Sequence, residues 1–122
     1  MNNLLFYGDN LEVMRNKLRD ETIDLCYIDP PFNSKRNYFQ IYNNVGKDDV
    51  AQARAFIDTW TWNELAINGY QEIITNYQGC YTKQTIELMK GLKGVLGDSP
   101  LLAYLVGMIQ RVNEIQRVLK PT

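Results

Sequence analysis

Asn3-Leu4-Leu5-Phe6-Tyr7-Gly8-Asp9-Asn10 and, further on, Ile23-Asp24-Leu25-Cys26-Tyr27-Ile28-Asp29-Pro30-Pro31-Phe32 are the two stretches whose reading decides the fold class. Each is a short apolar, β-rich run that stops abruptly, the first at Gly8-Asp9-Asn10 and the second at two prolines that cannot donate to a sheet ladder. Between them Leu11, Met14 and Leu18 share one helical face, and Asp9 or Asn10 can cap that helix. Strand, helix, strand with short links is a βαβ unit. It predicts parallel strands in an α/β sheet.

Working outward, residues 33–81 lose that clear pattern and read as a loop-rich insert. Residues 33–38 form a polar loop, residues 48–57 could hold a short helix through Val50, Ala53 and Ile57, and Trp60 and Trp62 read as packing residues. From 82 to 122 the chain reads as helices. Ile86, Met89, Leu92 and Val95 or Leu96 form an apolar stripe weakened by Gly91 and Gly94, at about 1 kcal/mol each relative to alanine. The clearest helix follows, with Ser99 as N-cap, Pro100 at its first position and Leu102, Leu105, Ile109, Val112, Ile115 and Leu119 recurring until Pro121. Its stripe is expected to pack on the sheet.

Composition limits the function. The 122 residues are 45% hydrophobic and 22% charged, which fits one globular domain and excludes a disordered polyampholyte. Thirteen Lys plus Arg against 14 Asp plus Glu leave a net charge of -1, so bulk charge cannot hold the chain on phosphate. With no histidine there is no His-based triad or His-ligated metal. Cys26 and Cys80 lack metal-ligand spacing, so no metal is expected; Cys26 reads as a buried strand residue. No secretory signal pattern opens the sequence, and its longest apolar run, residues 101–109, falls short of the ~20 that span a bilayer. A cytoplasmic chain with reduced thiols and no membrane partner is the expectation.

Asp29-Pro30-Pro31-Phe32 lies just past the carboxyl end of the second expected strand, where open α/β sheets bind ligands. Each residue before a proline is biased toward extended backbone, so the Asp29 carboxylate and the Pro30 carbonyl form a preset pair of acceptors. Together they can take both hydrogens of an exocyclic amine, while Phe32 offers a face for stacking a planar base. Two such bonds localise the nitrogen lone pair for attack on an electrophilic methyl, with no histidine required.

These residues, continued by Asn33-Ser34-Lys35-Arg36-Asn37-Tyr38, by residues 56–62 and by the closing residues 117–122, resemble the N-terminal part of the site-specific DNA amino-methyltransferases. The likeness is to the adenine-N6 and cytosine-N4 enzymes of restriction-modification, in the subgroup whose catalytic motif precedes the cofactor motif. The resemblance implies a partial Rossmann-like methyltransferase sheet, a βαβ unit (1–32) plus C-terminal helices, truncated at its end. It implies that Asp29 and the Pro30 carbonyl hold the amine, Pro31 stiffens the loop and Phe32 stacks on a flipped-out base of double-stranded DNA. S-adenosylmethionine is the implied cofactor, with Asp9 and Asp29 beside it, although Asp9 equally reads as a helix cap. Asn33, Lys35 and Arg36 are the implied DNA contacts, with a solvated basic pair as the alternative for the last two. Tyr38, Phe39 and Tyr42 could line the DNA cleft or belong to the core.

The subgroup's Phe-x-Gly-x-Gly cofactor loop does not occur; Gly91, Gly94 and Gly97 have the wrong neighbours. The expectation is therefore the first third of a methyltransferase, inactive alone, with adenine N6 favoured because an Asp-led motif is commoner among the adenine enzymes. The alternative is a non-catalytic remnant or split subunit that binds a complementary chain, a homo-oligomer partner or DNA.

Overall fold

The computed structural model describes residues 2–31, 36–37, 57–58 and 60–122. Its contacts divide the chain into two compact units, Met1–Thr59 with Val118–Thr122, and Trp60–Arg117.

In the first unit, helix α1 spans Asn10–Lys17. Asp9 is its N-cap: one carboxylate oxygen accepts from the Leu11 N–H at 2.9 Å. Glu12 in the first turn and Arg15 and Lys17 in the last complement the helix dipole. Strands β1 (Arg36–Asn37) and β2 (Ile57–Asp58) pair antiparallel, with Arg36 opposite Asp58. A parallel bridge joins Ile23 to Leu119. There the Thr22 and Ile23 N–H groups donate to the Val118 carbonyl, and the Lys120 N–H donates to the Ile23 carbonyl, all at 2.9 Å.

The parallel α/β sheet expected from residues 3–7 and 23–28, the partial Rossmann-like sheet, is not formed. Apart from Ile23 neither run lies in a strand or bridge, and no backbone hydrogen bond joins residues 3–7 or 25–28 to the other described residues. Leu5 is 99% exposed, Tyr27 92% and Leu25 81%. The physical reason lies in what parallel strands demand: neighbours on both edges and cover on both faces. Two candidate strands fall below the three or more that a stable sheet usually needs. β-propensity measures fit to a half-buried pleated surface, and without that surface it has nothing to act on.

In the second unit, α2 covers Glu64–Ile74, a 3-10 turn covers Tyr77–Gly79, α3 covers Lys83–Leu96 and α4 covers Pro100–Val118. Each helix starts on a side-chain cap: Asn63 accepts from Ala66 N–H at 3.0 Å, Thr82 from Thr85 N–H at 3.1 Å, and Ser99 from Leu102 N–H at 3.1 Å. Gly97, at φ +64, ends α3 with its N–H on the Lys93 carbonyl, a backbone conformation that favours glycine. The core is Tyr70 and Ile73 of α2, Tyr81, Met89 of α3, and Leu102 and Val106 of α4. Of the expected α4 stripe, Leu102 and, in part, Ile109 pack into this core of helices and not against a sheet, which corrects the expected packing, while Val112 is 52% exposed.

Polar bonds fix how these helices meet. The Glu72 carboxylate accepts from the Tyr81 hydroxyl at 2.5 Å and from Gln110 Nε2 at 2.9 Å, tying α2 to the segment before α3 and to α4. Glu114, 5% exposed, is paired with Arg117 at 3.0 Å, as a buried carboxylate requires. Helix α2 lies inside the stretch read as loop-rich from 33 to 81. The short helix expected at 48–57 lies outside the described residues except Ile57, which belongs to β2.

Candidate functional site

Asp29 is exposed and Pro30 and Pro31 are half-buried, on backbone that is neither helix nor strand. No hydrogen bond or ion pair holds the Asp29 carboxylate to another described residue, so its acceptor capacity faces water. Two consecutive prolines fix φ near −65° and remove two donors, which leaves carbonyls as the polar groups of that backbone. Phe32, Asn33 and Lys35 lie outside the described residues, as do Tyr38, Phe39 and Tyr42. The backbone of Arg36 is in β1.

Gly8 and Asp9 form the second element. Gly8 has φ +138, in the region that favours glycine, so a side chain there would be strained although nothing lies within 4 Å of a Cβ. This turn feeds directly into the Asp9 cap of α1. Beside it is an open pocket of ≈ 180 Å³ lined by Tyr7, Gly8, Asp9, Glu12, Val13, Asn16 and Lys17. Complete small-molecule sites usually run to about 300–1,000 Å³, so this pocket matches one moiety of a ligand and not a whole nucleoside cofactor. Its chemistry is mixed. The Glu12 carboxylate can accept hydrogen bonds, the Asp9 carboxylate is already engaged as the α1 cap, Asn16 and Lys17 can donate, and Tyr7 and Val13 supply apolar walls.

Of the site residues read from the sequence, Asp9 is the cap of α1, the second of its two readings, and it also lines this pocket. Glu12, Asn16 and Lys17 were read only as helix residues. Their signal was available: positions 9, 12, 13 and 16 recur at helical spacing and share one face.

The remaining candidates resolve into packing. Trp60 meets Tyr104 edge-on at 4.9 Å, and Trp62 meets Tyr70 at 6.2 Å while Lys93 Nζ sits 5.1 Å from its ring centre. Cys26 is half-buried and outside any strand, which corrects its reading as a buried strand residue; Cys80 is exposed and its thiol donates to the Tyr77 carbonyl at 2.9 Å, and neither cysteine is in a disulfide. Gly91 and Gly94 are inside α3 and Gly97 caps it, so none forms a loop behind a strand. Among the described residues no helix is long and apolar enough to cross a membrane.

Compared with protein-family models, with curated proteins and with solved structures, the chain gave no match.

Proposed function

We propose that this chain supplies the amine-binding loop for S-adenosylmethionine-dependent methylation of an exocyclic amine of a DNA base, adenine N6 in preference to cytosine N4. The carrying observation is the exposed Asp29 carboxylate directly before the half-buried Pro30-Pro31. That arrangement suits two hydrogen bonds from one amine, with Phe32 as the stacking face. The pocket beside Gly8-Asp9 supports a subsite for part of the cofactor, its Glu12 carboxylate suited to sugar hydroxyls. The reading rests on the motif and not on the fold, because the described residues do not build a parallel sheet.

Duplex DNA carrying 2-aminopurine in place of adenine, drawn from a random-sequence pool, tests it. Base extrusion raises the probe's fluorescence. A rise is expected with the native chain and S-adenosylmethionine, and Asp29→Ala and Phe32→Ala are expected to abolish it. No rise with the native chain at tens of micromolar overturns the proposal. Methyl transfer at ordinary enzyme rates would support it and would remove the expectation that a glycine-rich loop is required.

The second reading, a non-catalytic subunit that binds a complementary chain or DNA, is favoured by the exposure of Leu5, Leu25 and Tyr27. It predicts binding without methyl transfer even when the complementary chain is present.

A further inference from the structure

We draw no further inference here: the strongest candidate, the exposed apolar side chains of residues 3–7 and 25–28 in the first unit, carries nothing, because nothing in the structure shows that they form one face or what covers them.

Discussion

Ile73 and Met89 are sealed from water inside the helical unit Trp60–Arg117, whereas Leu5, a side chain of the same kind, stands wholly in solvent in the other unit. Both regions carry apolar runs. The difference lies in where each run must find its partner. Helices α2, α3 and α4 satisfy their own backbones and meet through short turns, so one stretch of chain holds everything its core needs. Residues 3–7 and 25–28 have a strand's composition, and a strand satisfies neither its backbone nor its faces without neighbours from elsewhere. Apolar content therefore says how much surface wants cover, and periodicity says whether nearby chain can supply it.

The widest contrast should come from truncating the two kinds of residue. Met89→Ala or Leu102→Ala empties a site that is 0% exposed and should cost about 2–5 kcal/mol, while Leu5→Ala should change stability by less than about 0.5 kcal/mol. Urea unfolding followed by tryptophan fluorescence reads the Met89 and Leu102 losses, because both tryptophans, Trp60 and Trp62, lie in the helical unit, and exchange of the Thr22 and Ile23 amides reads the Leu5 effect in its own unit. Equal losses from Met89 and Leu5 would mean that Leu5 is buried in solution and would break the comparison.

How legible this was depended on the same distinction. Helix α4 could be read from Ser99, Pro100 and its stripe, and α1 from Asp9 and Leu11, because caps and 3.6-residue periodicity are local signals. Helix α2 was readable in principle from Asn63 and the spacing of Ala66, Tyr70 and Ile73; Thr61, Trp62 and Gly69 obscured it by their poor helix propensity. The absence of the sheet is not legible in these runs, since an apolar, β-prone run reports capacity to pair and not the presence of a partner. At the candidate site, Asp29 and the prolines came from a contiguous motif. The pocket-lining Glu12, Asn16 and Lys17 did not, because only the turn at Gly8 brings their face beside Tyr7.

Two glycines sharpen the contrast within the helical unit. A Cβ on Gly69 would sit 2.8 Å from Val106 Cγ1 and 3.0 Å from Gln110 Oε1, so Gly69→Ala forces α2 away from α4 and should cost about 1–3 kcal/mol. Gly91 is in α3 with nothing within 4 Å of a Cβ, and Gly91→Ala should stabilise by about 0.5–1 kcal/mol. Opposite signs in thermal unfolding would show that glycine serves close helix approach at one position and merely weakens a helix at the other. A stabilising Gly69→Ala would refute the close packing of α2 on α4.

The smallest effect is expected where the first unit closes on its C-terminal residues. Lys120 Nζ lies 2.8 Å from Asp24 Oδ1, yet their side chains are 49% and 78% exposed, and such pairs contribute about 0–1 kcal/mol. The same junction has three backbone hydrogen bonds of 2.9 Å on Ile23, Thr22 and Lys120, which do not depend on either charge. Asp24→Asn should therefore leave the exchange protection of the Thr22 and Ile23 amides nearly unchanged, and 0.5 M salt should add nothing further. A loss above about 1 kcal/mol would mean that the ion pair, and not the parallel bridge, holds the junction together. Residues 25–28 would then lack even this adjacent stretch of paired backbone from which a strand could extend.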